Sequence, residues 1–334
     1  MEIKKKILII DNSNLSYTGN DINGAFLRGT ETSLILLAEE FSKKGIKVYF
    51  STEIDKTKIV NSVHYINSNN INKEIYYDLV IAVSNANLFK NIKSKKKAIF
   101  SVSNQSIEKF IRKGQLFSTY LHKPTIVTLC EYQFNKRSFL TSPYGKMIIP
   151  ITVDKVFIEE KIDINFVPEK KAIYNIRSNR NLDELVNIWI NFIFPKAKDS
   201  EFYITPNLFK YNDVYKKNNI FLRNIGSRAE MIQELKRARM LLYLGHKSDI
   251  FTLTVEESIK LCVPVVTYGI GSVSERVSHG NNGFIAKNEY EFAKYTLDLL
   301  NDDSILFELK KKMFKTRLIN SWSYIAEMWI KKFL

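Results

Sequence analysis

Cysteine is nearly missing from these 334 residues: Cys130 and Cys262 lie far apart and in no metal-ligand spacing. No disulfide framework follows from them, and both are expected to be buried thiols in a reducing cytoplasm. No apolar run approaches the roughly eighteen residues that a membrane span requires. The opening Met1-Glu2-Ile3-Lys4-Lys5-Lys6 leads into only four apolar residues before Asp11, which reads as a first strand and not as a signal peptide. There is no Gly-x-Ser-x-Gly elbow, no P-loop and no His/Asp/Glu cluster at metal-ligand spacing. Solenoid-length repeats and low-complexity tracts are absent too. These gaps turn attention away from nucleophile-elbow, P-loop and metal-centred chemistry.

Hydrophobic content of 45% with 13% aromatic residues is ample for buried cores, and the length suits two domains better than one. The formal charge of +15 is uneven: residues 1–155 carry 23 lysines and arginines against 13 acids. Lys90-Asn91-Ile92-Lys93-Ser94-Lys95-Lys96-Lys97 is the densest basic run. Such a half can attract anionic headgroups or a phosphorylated acceptor. A chain rich in Lys, Asn and Ile also reaches this charge through composition alone, and nucleic acid is not an expected partner.

The first half alternates strands and helices. Strands are expected at Lys6–Asp11, Lys47–Ser51, Asp78–Val83, Ala98–Val102, Thr125–Cys130 and Met147–Pro150. An amphipathic helix is expected over Glu31–Lys44, with Leu34, Ile35, Leu37, Ala38 and Phe41 on one face and Gly45 closing it. The second half repeats the grammar, with strands at Ala172–Ile176, Glu201–Ile204, Met240–Leu244, Val263–Thr267 and Phe284–Ala286. Helices fit Leu182–Phe192, Arg228–Arg239 (capped by Ser227 with Glu230), Val255–Leu261 and Tyr290–Leu300. This is the pattern of an α/β protein with parallel sheets covered by helices. The expected division is 1–150, 151–317 and a terminal amphipathic segment 318–334.

Two carboxylates stand eight positions apart, Asp249 and Glu257, with an apolar strand after them. A helix beginning near Thr254 would offer unpaired N–H groups and a dipole that favours an anion. Glu257, one turn in, is placed to accept two hydroxyl hydrogen bonds from a ribose. Thr254-Val255-Glu256-Glu257 also has the form of a capping box, in which Glu257 reaches back to the Thr254 N–H. Both readings stand at this point.

The surrounding stretch resembles the donor-site signature of retaining glycosyltransferase family 4 (glycosyl transferases group 1), which has the GT-B fold. That signature runs Glu-Gly-Phe-Gly-Leu-x3-Glu-Ala, then Pro-Val-Val and a Gly-Gly-x-x-Glu turn. Here the counterparts are Asp249-Ile250-Phe251-Thr252-Leu253, Glu257-Ser258, Pro264-Val265-Val266 and Gly269-Ile270-Gly271 with Glu275 beyond. Asp249 is one methylene shorter than the family's Glu, and Ile250 and Thr252 replace two glycines. Arg28-Gly29-Thr30-Glu31 resembles the family's Gly-Gly-x-Glu loop with one glycine kept. Arg177 and Arg180 resemble an Arg and a Lys that grip the donor diphosphate, and a guanidinium can serve there in bidentate fashion. Ile149-Pro150-Ile151-Thr152-Val153-Asp154 resembles the family's Ile-Pro-Asn-Gly-Val-Asp joint between domains. Ser103-Asn104 stands where many members carry a His.

The resemblance implies two Rossmann-like parallel-sheet domains facing a central cleft. It assigns 1–150 to the acceptor side and 151–317 to the donor side, and it packs 318–334 back on the first domain. It implies a retaining, metal-independent transferase of hexosyl type, with a nucleoside-diphosphate sugar as donor substrate and no cofactor. The acceptor would be a glycan or a lipid-linked acceptor, in surface polysaccharide or lipopolysaccharide synthesis. The setting would be the cytoplasm, with peripheral attachment to the anionic inner face of the membrane. Asp249, Glu257 and Arg180 take the catalytic roles. Donor and phosphate contacts fall to Arg177, Arg180, Gly29, Thr30, Phe251, Thr252, Leu253, Thr254 and Glu257, with no residue assigned to metal. His246 is a donor contact or a surface-loop His, and Ser103 is a further candidate. The alternatives are a catalytically idle GT-B module that binds a glycan or partner, and a GT-B sugar-nucleotide epimerase or hydrolase.

Overall fold

The computed structural model describes residues 4–24, 27–176, 180–205, 212–223, 226–318 and 320–334. The chain divides into two compact units, one of residues 1–152 with 320–334 and one of residues 153–319.

The first unit is built on eight strands: β1 (Lys6–Ile10), β2 (Lys47–Thr52), β3 (Lys58–Val60), β4 (Val63–Asn67), β5 (Tyr77–Val83), β6 (Ser94–Phe100), β7 (Thr125–Thr128) and β8 (Lys146–Ile148). Their order is β3-β4-β2-β1-β5-β6-β7-β8. All neighbours are parallel except β3 with β4. Ile7, Leu8 and Ile9 of the inner strand β1 are wholly buried, as a parallel strand covered on both faces requires. Helix α1 (Gly29–Lys43) buries Leu34, Ile35, Leu37, Ala38 and Phe41, the face its spacing marks. Short helices α2 (Ile107–Arg112), α3 (Gln115–His122) and α4 (Glu131–Lys136) follow β6 and β7.

The second unit opens with α5 (Lys155–Glu159) and carries strands β9 (Lys171–Tyr174), β10 (Glu201–Ile204), β11 (Ile220–Leu222), β12 (Met240–Leu242), β13 (Val265–Thr267) and β14 (Gly283–Ile285). They run parallel in the order β11-β10-β9-β12-β13-β14, the strand order of a Rossmann sheet. Helix α6 (Leu182–Ile188) is shorter than the sequence suggested, because the chain widens into a π turn over Trp189–Ile193. Pro195 has no N–H for the carbonyl of Asn191, which accounts for the break. Beyond it come α7 (Asp213–Lys217), α8 (Arg228–Arg237), α9 (Leu253–Lys260), α10 (Glu289–Asn301) and α11 (Asp303–Thr316). The capping box expected at α8 is present, with Ser227 and Glu230 each accepting from the other's backbone N–H.

The last helix, α12 (Trp322–Phe333), belongs to the first unit. Its Trp322, Ile325, Ala326, Trp329 and Phe333 are buried, and the Trp329 ring lies 6.2 Å from that of Phe100 on β6. Lys44 beyond α1 pairs with Glu327 at 2.6 Å, and Lys5 Nζ donates to the Leu334 carbonyl at 2.8 Å. Burial of such side chains stabilises by roughly 1.5–3 kcal/mol each, so α12 is integral to that core. Cys130 and Cys262 are buried and stand in no disulfide.

Candidate functional site

In the second unit β9 and β12 are neighbours in the sheet, and the chain leaves their carboxyl ends toward opposite sides. Such a reversal opens a crevice, the usual place for a ligand in an open α/β sheet. Arg180 and Asn181, ahead of α6, meet the loop 243–252 after β12 there. The loop 243–252 also packs closely on Ile270 and Gly271 after β13, through backbone that only glycine adopts at ease. Gly245 has φ +94°, and a Cβ on it would fall 2.5 Å from the Ile270 carbonyl oxygen. Gly271 has φ +78°, and a Cβ there would lie 2.3 Å from the His246 carbonyl oxygen. Asn181, left-handed at φ +60°, ties the start of α6 to the loop 243–252 by donating from Nδ2 to the Gly245 carbonyl at 2.8 Å.

Within this crevice Arg180, His246 and Asp249 come together. The Tyr243 hydroxyl donates to Asp249 Oδ2 in a short hydrogen bond. Arg180 Nε stands 3.6 Å from Asp249 Oδ1, and Arg180 Nη1 donates to His246 Nδ1 at 2.7 Å. The Ser248 N–H reaches the same His246 nitrogen at 3.1 Å. Two donors on Nδ1 make it the acceptor and leave the ring proton on Nε2. Burial lifts the Asp249 carboxyl above the usual carboxylate range, while Tyr243, Arg180 and His246 pull it back. Burial and the neighbouring Asp249 push the Tyr243 phenol well above its ordinary value, so it remains a donor.

Helix α9 begins at Leu253 with Thr252 as its N-cap, one residue earlier than the sequence suggested. The Thr252 hydroxyl makes no capping hydrogen bond, and its buried Oγ1 has no partner among the described residues. The Leu253 and Thr254 N–H groups are two of the donors that a helix cannot pair internally. Thr254 therefore sits inside the helix, and the capping-box reading of Thr254 with Glu257 fails. The Glu257 carboxyl accepts no hydrogen bond from any described residue. Desolvation pushes it up to about 7, Arg228 pulls it down and Asp154 pushes it up. Arg228 and Asp154 form a close ion pair beside it. The Phe251 ring is covered by the Arg276 guanidinium, 3.5 Å from its centroid.

The remaining candidates lie elsewhere or outside the description. Arg177 falls outside the described residues. Gly29 and Thr30 are the first two residues of α1 in the first unit, where Arg28 Nη2 holds the buried Glu31 at 2.5 Å. Ser103, also in the first unit, uses its carbonyl to accept from Ser101 Oγ and Gln133 Nε2, both at 3.3 Å. Sequence reasoning missed Tyr243, Asn181 and Arg228. A tyrosine at the end of an apolar strand reads as core, and nothing in its spacing announces a hydroxyl aimed at Asp249. Among the described residues no group of three or more His, Cys, Asp or Glu is placed to hold a metal ion.

No curated protein matches the chain. Residues 212–316, which include the loop after β12 and all of α9, match the family model described as glycosyl transferases group 1. Over that stretch, about a third of the chain, the sequence is similar to group 1 glycosyltransferases. Solved structures place that region in its fold. TarM of S. aureus is similar at a TM-score of 0.60 and 17% identity, over 76% of this chain and 55% of TarM. The chain thus spans about half the length of TarM. WaaG, a glycosyltransferase involved in lipopolysaccharide biosynthesis, is similar at a TM-score of 0.69 and 11% identity, over 98% of this chain and 99% of WaaG. HepE of Anabaena, solved with UDP and glucose, is similar at a TM-score of 0.69 and 13% identity, over 98% of this chain and 99% of HepE. The fold shared with these structures is GT-B, here with two sheets that are parallel apart from one edge pair.

Proposed function

We propose that the chain is a retaining glycosyltransferase that moves a sugar from a nucleoside-diphosphate donor to a glycan or lipid-linked acceptor, without a metal ion. The observation that carries this reading is one constellation in the second unit. A cation (Arg180), a buried carboxylate (Asp249) and the open N-terminus of α9 share a crevice, with the unpartnered Glu257 carboxylate one turn further in. An anionic diphosphate suits the helix N–H groups and the guanidinium, and stabilising charge on that leaving group is the main demand of the reaction. Glu257 would accept the ribose hydroxyls. Asp249, held in place by Tyr243, would accept from the transferred sugar. The Nε2–H of His246 is the remaining donor in the group. Arg177, Gly29 and Thr30 are proposed as further phosphate contacts and Ser103 as an acceptor-side residue. The first unit would serve the acceptor and the second the donor.

The similarity to HepE, solved with UDP and glucose, supports a nucleotide-sugar donor, and that to WaaG supports a role in surface polysaccharide or lipopolysaccharide synthesis. The basic first half adds attachment to an anionic membrane surface in the cytoplasm. The test is incubation with nucleotide sugars in excess EDTA, with NMR of the released sugar or product. An α-linked donor giving an α-linked product supports the reading. Inversion at the anomeric carbon overturns the retaining mechanism, and loss of turnover in EDTA overturns metal independence. Nucleotide-sugar binding with no turnover on any acceptor or water favours the idle-module alternative.

A further inference from the structure

Helix α3 is turned inside out. It buries Gln115 and Thr119, both 0% exposed, and presents Phe117 (76% exposed), Leu121 (59%), Leu116 (47%) and Tyr120 (46%) to solvent. The fold has a reason to hold it this way, since Gln115 Oε1 accepts from the buried Ala86 N–H at 3.2 Å. The apolar face extends beyond one helix. Helix α2 packs against both α3 and the turn Phe139–Thr141, and it exposes Ile111 and Ile107 while the turn exposes Phe139 and Leu140. An amphipathic helix normally hides such a face. A contiguous exposed apolar patch of this kind marks an interaction site.

Charge says what the partner is. Residues 105–145 carry six lysines and arginines against two glutamates. Arg112, Lys113, Lys123 and Lys136 are exposed around the apolar side chains. Arg112 lies 3.7 Å from Glu108, one of those two acids. Large apolar side chains rimmed by cations are what a bilayer with anionic headgroups takes up, the rings and branched chains entering the acyl boundary and the cations staying at the phosphates.

We propose that the face formed by α2, α3 and the Phe139–Thr141 turn docks the protein on an anionic lipid bilayer. The proposal rests on the membrane attachment in the functional reading above and is independent of the donor crevice. The experiment is co-sedimentation of the full chain with vesicles of phosphatidylcholine alone, or of phosphatidylcholine and phosphatidylglycerol in equal parts. Wild type is expected to sediment with the mixed vesicles and to be released by high salt. A double variant, Phe117→Ser with Leu121→Ser, is expected to lose vesicle binding on the order of tenfold or more. Lys113→Glu with Lys123→Glu is expected to lose a similar amount on mixed vesicles. All four positions are exposed, so melting temperature and nucleotide-sugar binding are expected to stay at wild-type values. Wild type that sediments with neither vesicle overturns membrane attachment itself. Variants that bind as well as wild type overturn this face as its site. A dimer in light scattering that the Phe117 and Leu121 changes dissociate assigns the face to a second copy and overturns the proposal.

Discussion

Replacing Glu257 with Gln separates the cost of holding a desolvated carboxylate from the use made of it. Burial moves this group from 4.5 to about 7 in the folded chain. Well below the lower value it is protonated in both folded and unfolded states and makes no difference to stability. As pH rises between the two values the unfolded chain ionises it freely and the folded chain does not, so folding stability falls across that window. Above the upper value the loss is complete, and at about 1.4 kcal/mol per unit it approaches 3 kcal/mol as an order of magnitude. The amide of Gln mimics the protonated acid at every pH. Glu257→Gln is therefore expected to match wild type at low pH and to exceed it by up to about 3 kcal/mol near pH 8. Urea unfolding at several pH values, compared through midpoints at equal m-value, reads this difference. The same variant is expected to bind nucleotide sugar more weakly. Wild-type affinity should strengthen by up to about tenfold per pH unit on approach to 7, as ribose hydroxyls draw the carboxyl into its ionised form. The phosphates of a nucleotide sugar stay ionised over that range and add no slope. A variant no more stable than wild type near neutrality refutes the desolvation argument. A more stable variant with undiminished binding refutes the role on the ribose.

Three further outcomes follow from the geometry. Arg180→Ala removes the cation beside Asp249 and the donor to His246, and nucleotide-sugar affinity measured by calorimetry should fall by roughly 1.5–3 kcal/mol, the scale of a charge-assisted hydrogen bond. Tyr243→Phe leaves a buried carboxylate short of a donor, so stability should fall by about 1–3 kcal/mol and the Asp249 carboxyl should titrate higher still, read by NMR against wild type. Gly271→Ala places a methyl against the His246 carbonyl in left-handed backbone, and a loss of at least about 1 kcal/mol with weakened donor binding is expected from unfolding and thermal-shift measurements.

The strands that the sequence shows are those buried on both sides, such as Ile7–Ile10 and Val265–Val266, where apolar runs leave no choice of face. Helix α1 was legible because its buried positions fall at helical spacing, and α8 because Ser227 and Glu230 announce its start. Strands β3, β4 and β11 were not. Ile59 on β3 is exposed at a sheet edge, and β4 mixes Val63 and Tyr65 with His64 and Asn67. Helix α3 offers a misleading pattern, since its apolar residues face away from the core and its polar Gln115 and Thr119 face in. At the site, residue type and spacing pointed to Asp249 and Glu257, and the resemblance to family 4 pointed to Arg180; Glu257 and Arg180 stand in separate elements that only the sheet order relates. The Tyr243 hydroxyl, the Asn181 tie and the Arg228–Asp154 pair depend on where loops cross, and spacing carries no trace of that.

The placement of α12 bears on how the chain is made. Strand β1 leaves the ribosome well before α12, yet the core it belongs to includes Trp322, Trp329 and Phe333 from that helix. The second unit is continuous and can finish folding while the first still waits, with the β6 surface around Phe100 open to water. Folding in order of synthesis is thus reversed for these two units: the one begun first is the one completed last. Through that interval the nascent chain exposes an apolar seat shaped for α12, a stage at which chaperone engagement would protect it.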